Sequence, residues 1–168
     1  MNRSRWLWVW LIVSMVSFGL HAAPFVPATK KDPDEIRCLA KIKRVGVRVG
    51  DVPSELANAL DRDRVAKLVR QRLLAEDFVI TDDSESPQLV LNFKILADKA
   101  WPDVIGVVLL LDVEQQVEVV RLGERMQLPT TTVVSRAFST QGQLAKVIEK
   151  RCLNATGQFI NLTRRMEE

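Results

Sequence analysis

The sequence feature that most constrains the fold is a long alternation of apolar and polar residues between Val107 and Val119. Apolar and polar residues occupy opposite parities, with Val107, Leu109, Leu111, Val113, Val117 and Val119 against Asp112, Glu114, Gln116 and Glu118. Because successive strand side chains point to opposite faces of a sheet, this pattern predicts a long strand with one buried face and one face in water.

Other periodic segments place the remaining elements around this strand. Strands are predicted at Arg44–Val49, Phe78–Thr81, Gln88–Leu96 and Thr130–Thr140, and helices at Asp61–Glu76 and Gln141–Met166. The order is β-α-β-β-β-β-α, which predicts an α+β fold with a mostly antiparallel sheet of four to five strands and two helices on one face. The second and third strands are expected to pair as an antiparallel hairpin.

The N-terminal residues have the layout of an export signal. Arg3 and Arg5 precede an uncharged apolar run, Trp6–Leu20, whose 15 residues are fewer than the roughly 20 that cross a bilayer. We therefore predict a cleaved signal peptide over residues 1–22, a flexible lead-in over 23–35 and a single domain over 36–168. The alternative is an uncleaved anchor. Neither cysteine ends the apolar run, so a periplasmic protein is expected rather than a lipoprotein.

The composition that remains after residue 22 argues against several functions. It has 22 basic and 21 acidic residues and lacks His21, the one histidine of the chain. Nucleic-acid binding, which needs Lys and Arg massed on one face, gains no support from this balance. Histidine is the usual general base and the commonest nitrogen ligand of zinc. We therefore predict no enzymatic activity and no catalytic, cofactor or metal site.

Cys38 and Cys152 are the two cysteines of the chain. In an exported protein, oxidation is allowed, so the pair is predicted to form one structural disulfide. A reactive thiol is the alternative, but the sequence shows neither a nearby base nor a helix N-terminus to activate it.

Two surfaces are candidates for partner binding. Trp101 and Pro102 lie in a loop between two predicted strands, where a Trp can anchor a partner. The alternative for Trp101 is a cap on the end of the core. The second surface is the sheet face opposite the helices, where Gln116 and Glu118 project and where a sheet edge could accept a strand from a partner.

Three other patterns have structural interpretations. Asp61 and Asp63 point apart on a helix and are expected to form a charged first turn, not a catalytic pair. The Asp82–Glu85 segment lacks the spacing of a calcium loop and is expected to be a solvated turn. The glycosylation sequons at Asn154 and Asn161 lie inside a predicted helix and are interpreted as accidental.

The order of elements resembles a known group of small periplasmic modules. A Val-Gly-Val strand (Val45–Val47), a helix, the Phe78–Thr81 and Gln88–Ile95 strands, the long alternating strand, another strand and a final helix follow one another. This order is similar to that of the TolB N-terminal domain, CsgG-type curli secretion proteins and LptE-like outer-membrane assembly accessories. The resemblance covers most of residues 44–166 and implies a non-enzymatic binding or assembly role in the envelope. Members of the group often carry a lipid anchor, whereas this chain lacks the lipobox cysteine.

The leading hypothesis is an exported, non-catalytic envelope accessory or assembly protein that binds an envelope protein partner and no nucleic acid, with peripheral membrane association left open. A periplasmic binder of a small ligand or peptide is the alternative, and it would need an apolar pocket between the sheet and the long helix. A hydrolase that works through carboxylates alone is the third hypothesis, and it would need two acids in one cleft. The oligomeric state is left open.

Overall fold

A computed structural model describes residues 34–97 and 103–166 of the 168-residue chain. The elements are α1 (Asp34–Arg37), β1 (Arg44–Val49), α2 (Arg62–Leu74), β2 (Val79–Ile80), β3 (Gln88–Ala97), β4 (Ile105–Val119), β5 (Glu124–Ser139) and α3 (Leu144–Arg165). The predicted α+β class is confirmed, with α1 added before the predicted elements. This short helix begins two residues inside the expected lead-in, while the rest of the lead-in and the predicted signal peptide lie outside the described residues.

The five strands form one sheet in the order β2-β1-β3-β4-β5. β1 pairs in parallel with both β2 and β3, whereas β3–β4 and β4–β5 are antiparallel. The sheet is therefore mixed, which corrects the mostly antiparallel expectation. The predicted hairpin of β2 and β3 is wrong, because β1 lies between them. Parallel pairing of β1 and β2 follows from the helix that connects them, as in a βαβ unit.

The chain passes from one side of β1 to the other at Gly46. β2 pairs with Arg44 and Val45, and β3 begins one residue further along β1, where Gln88 pairs with Gly46. The loop between β2 and β3 contacts β1 there, since the Gly46 N–H donates to the Pro87 carbonyl at 2.8 Å. A Cβ at residue 46 would stand 1.9 Å from Oε1 of Gln88. Glycine at residue 46 thus leaves space for the side chain of Gln88.

Both long helices pack against the same face of the sheet. Asp61 caps α2 by accepting a hydrogen bond from the Arg64 N–H at 3.0 Å. The apolar stripes of the helices meet the inward side chains of the strands, and the core includes Val65, Val69 and Leu73 of α2, Ile148, Cys152, Ala155 and Phe159 of α3, and Leu89, Leu91, Leu109 and Leu111 of the sheet. None of the helices within residues 34–97 and 103–166 is long and apolar enough to span a membrane.

β4 and β5 extend beyond β3 as a two-stranded ribbon. Gln88, the first residue of β3, pairs with Glu114, and the β4–β5 ladder continues from there to Val119 and Glu124. Gly123 adopts a positive φ of 64° in the turn, a conformation that glycine reaches without strain. β5 therefore begins at Glu124 and not at the predicted Thr130.

Candidate functional site on the open face of the sheet

The open face is the side of the sheet that points away from α2 and α3. Cross-strand register places its side chains in rows, of which one contains Arg48, Val90, Asp112 and Thr132, a second Lys94, Val108 and Arg136, and a third Leu96, Gly106 and Phe138. The rows change from polar to apolar along the strands, so the face has a polar half and an apolar half.

The side chains of the polar half bond to one another. Asn92 and Thr132 donate hydrogen bonds to the two carboxylate oxygens of Asp112, at 2.8 and 2.6 Å. Arg48 forms an ion pair with Glu114 at 3.0 Å. Val90 lies between Arg48 and Asp112 in register and is only 2% exposed. Both carboxylates in this half therefore have structural partners.

The apolar half lies at the other end of the face and is open to solvent. The exposed fractions are 73% for Phe138, 51% for Leu96 and 48% for Val134. Gly106 separates Leu96 and Phe138 in register, and a Cβ there would stand 3.0 Å from Cβ of Leu96 and 3.2 Å from Cε1 of Phe138. Because glycine allows this approach, the two apolar side chains close together over β4 and form one patch.

We call this patch the Phe138 patch and define it by Leu96, Val108, Leu110, Val134 and Phe138. Val108 and Leu110 of β4 are half-buried and form its centre. Leu110 pairs with Val134, so the patch extends across β4 to the edge strand β5. Lys94 and Arg136 lie on either side of Val108 and are exposed.

Of the four residues predicted to bind a partner, the structure describes two. Trp101 and Pro102 lie outside the described residues. Gln116 and Glu118 are exposed on the ribbon, and Gln116 lines a shallow polar groove with Arg48 and Gln88. The role of Gln116 and Glu118 in binding stays a prediction.

The Phe138 patch was not found from the sequence. Leu96 projects from the same face of its strand as Lys94, and Phe138 from the same face as Arg136. The signal in the sequence was therefore an apolar residue at a position where the alternation predicts a polar one. Alternation within one strand does not show which residues of another strand lie beside it. The register between β3, β4 and β5 is what assembles the patch.

The two cysteines are not bonded to each other, which corrects the predicted Cys38–Cys152 disulfide. The Cys38 thiol is half-buried and lies 3.4 Å from the Thr131 hydroxyl of β5. Cys152 lies in the buried stripe of α3, where desolvation, followed by the charge of Glu149, raises the pKa of its thiol to about 12. The thiol is therefore protonated at neutral pH and is not an activated nucleophile.

Among the described residues, the cavity between the sheet and α3 is small. The cavity there, lined by Phe93, Val107 and Ile148 among others, has a volume of about 10 Å³, roughly the room for one water. A second cavity of about 170 Å³ opens between Ile42, Phe78 and Thr163. Both are smaller than the roughly 300–1,000 Å³ of typical small-molecule sites. The polar groove beside Arg48, Gln88 and Gln116 has a volume of about 510 Å³, but it is not the apolar pocket that was expected against α3.

The acidic segments serve local structure. Asp61 is the N-cap of α2, in agreement with the charged first turn that was predicted. Asp83 accepts hydrogen bonds from the Glu85 N–H at 3.0 Å and from the Ser86 hydroxyl at 2.9 Å, and these bonds lower the pKa of its carboxyl. No cluster of three or more metal-ligating side chains occurs in the part of the chain that the structure describes. Asn154 and Asn161 are exposed on α3.

Comparison with known proteins adds little to this picture. No family model matches the chain, and no curated protein matches it. Among solved structures, the chain is similar to a minor lipoprotein from Acinetobacter baumannii, with a TM-score of 0.40 and 14% sequence identity over 75% of this chain and 93% of that one. A likeness of this size identifies neither a family nor a function.

Proposed function

We propose that the protein is an exported, non-catalytic accessory protein of the cell envelope, which acts by binding another protein through the open face of its sheet. The Phe138 patch is the observation that carries this proposal. It places three apolar side chains, each about half exposed or more, on a face that no described helix covers. Leu96 and Phe138 approach each other at Gly106, and Val134 lies two rows further along β5.

Neighbouring exposed apolar side chains promote aggregation, so they are rare on a protein surface that binds no partner. Single exposed apolar residues are common on protein surfaces, whereas contiguous patches mark interaction sites. An aromatic ring such as that of Phe138 buries roughly 150–250 Å² in a core or interface. Aromatic side chains are also enriched at protein–protein interfaces.

The export part of the proposal is supported by the N-terminal sequence. Two arginines precede an uncharged apolar run of 15 residues, the order of a secretory signal. We place the protein in the periplasm on this basis.

Site-specific photo-crosslinking in the source cells tests the proposal. A photoreactive amino acid is placed at Val134 or Phe138, and at Leu74 as a control. Leu74 lies on α2 and is 56% exposed, similar to the 48% of Val134. We expect one envelope protein to be crosslinked from both open-face positions and not from residue 74. Equal capture from residue 74, or no capture from the open face, would contradict the proposal.

A further inference from the structure

We infer that the partner presents an amphipathic α-helix whose apolar stripe is bordered by carboxylates on both sides, and that this helix lies along β4 between Lys94 and Arg136. The inference rests on the proposed function, since it names the chemistry of the partner for the same face. It is carried by the shape of the Phe138 patch and by the two cations beside it.

The width of the patch fits one helix. Lys94 lies on β3 and Arg136 on β5, on either side of Val108 in β4. Neighbouring strands are about 4.8 Å apart, so the backbones that carry the two cations are separated by roughly 10 Å. An α-helix with its side chains has a diameter of about 10–12 Å. A helix centred on β4 would therefore cover Val108 and Leu110 and bring its two borders over the cations.

The charge of the patch calls for carboxylates on the helix. Among residues 34–97 and 103–166, no ion pair or hydrogen bond is formed by the Lys94 or Arg136 side chain, whereas Arg48 in the polar half is paired with Glu114. An apolar partner that covered these cations would remove water from them without replacing it, which is costly. Carboxylates at both borders of the helix would pair with them.

The pairing of the backbone groups on this face favours a helix over an extended peptide. The backbone groups of β3 and β4 already bond to neighbouring strands. An extended peptide on the face would therefore find no partners there for its own N–H and C=O groups. A helix satisfies these groups internally, so it can pack on a sheet through side chains alone.

Two other occupants fit less well. A second copy of the chain could dock by the same face around a two-fold axis. Its Lys94 and Arg136 would then lie near the Lys94 and Arg136 of the first copy, and the like charges would repel. Its helices α2 and α3 also have their apolar stripes buried in its own core. An anionic lipid surface is wider than a helix and would cover Asp112 and Glu114 together with the two cations, so it would be repelled there, whereas a helix centred on Val108 needs to cover only the apolar half.

The test uses two designed helical peptides of about three heptads with the purified protein. Both carry Leu at positions a and d, and the e and g positions carry Glu in one peptide and Lys in the other; like charges at both positions keep each peptide from self-association. The protein variants are wild type, the double reversal Lys94→Glu/Arg136→Glu, and a control reversal of equal charge, Arg62→Glu/Lys146→Glu, at exposed positions on α2 and α3. Binding is measured by fluorescence anisotropy, and folding by circular dichroism.

We expect the wild type and the control reversal to bind the Glu peptide at least about tenfold more tightly than the Lys peptide, and the double reversal at Lys94 and Arg136 to invert this preference. Equal binding of the two peptides, or an unchanged preference in the double reversal, would overturn the inference. Binding of anionic vesicles that depends on Lys94 and Arg136, with no binding of the Glu peptide, would also overturn it. Photo-crosslinks from Val134 and Phe138 that persist in either case would leave the proposed function standing, whereas their absence would remove both.

Discussion

Single residues accommodate the close approaches within this mixed sheet. The clearest case is Gly46, where the loop after β2 crosses β1 and the Gln88 side chain occupies the space that a Cβ would need. Gln88 also ties the loop together, since its Nε2 donates to the carbonyls of Asp83 and Ser86 at 2.9 and 3.1 Å. The sequence shows a glycine inside a strand, but only the crossing explains it.

A double-mutant cycle tests this role of Gly46. Gly46→Ala should push Gln88 away from its two carbonyl acceptors and lower the free energy of unfolding by about 1–2 kcal/mol, as measured by urea denaturation. In a Gln88→Ala background the space is free, so adding Gly46→Ala should cost clearly less. The same cost in both backgrounds would show that the Gln88 side chain is not what residue 46 must accommodate.

The two cysteines provide a second prediction, which also tests whether they form a disulfide. In the absence of reductant, a thiol reagent near pH 8 should label one thiol per native chain, the half-buried Cys38, and two per chain in denaturant. If the denatured chain shows no free thiol, the two cysteines are bridged in the isolated protein.

The thiol of Cys152 should contribute to the pH dependence of the free energy of unfolding. Its pKa rises from 9.0 to about 12 on burial, so above pH 9 the unfolded chain loses this proton before the folded one does. The unfolding free energy should therefore fall as pH rises from 9 toward 12, by at most about 1.4 kcal/mol per pH unit from this group. Cys152→Ala should show a shallower fall than wild type in urea denaturation across this range.

At the scale of elements, capping and periodicity define the helices well. Asp61 and Asp63 are both acidic residues at the start of α2, but only Asp61 caps the helix, by accepting a hydrogen bond from the Arg64 N–H. Asp63 therefore serves as the control for Asp61. Asp61→Ala should lower the free energy of unfolding by about 1 kcal/mol. Asp63→Ala, which removes only a charge from the first turn, should cost a few tenths of that. Equal losses in thermal or urea denaturation would mean that the helix dipole, and not the cap, accounts for both.

The elements also show why some of the fold could be predicted and some could not. β1 was predicted with the bounds it has, Arg44–Val49, and β3 to within a residue, since both are short apolar segments bounded by turn residues. The first part of β5, Glu124–Pro129, begins with two charged residues and ends with a proline, which lacks an N–H, and the sequence analysis did not predict it as a strand. It is a strand because β4 pairs with it. The strand order and the mixed sheet were missed for a related reason. Alternation along a strand shows which side of it is buried, but it does not show which strands pair with each other.

At the scale of the whole molecule, the sheet is covered on one side only. The inner face packs against α2 and α3, while the outer face is polar at one end and apolar at the other. The polar end closes itself through Asp112 and its partners. The apolar end has no comparable cover among the described residues, and this asymmetry is why we assign binding to the open face.

Two phenylalanines at opposite sides of the sheet test that asymmetry. Phe159 is fully buried and its ring centre lies 5.7 Å from that of Phe78, whereas Phe138 is 73% exposed. Phe159→Ala should lower the free energy of unfolding by about 3–5 kcal/mol. Phe138→Ala should change it by less than about 1 kcal/mol, because most of its ring is already in water. In cells, however, Phe138→Ala should sharply reduce the crosslink captured from Val134, since the partner would lose an aromatic contact. If Phe138→Ala instead destabilises the protein as much as Phe159→Ala does, the open face is part of the core and the reason for assigning binding to it is gone.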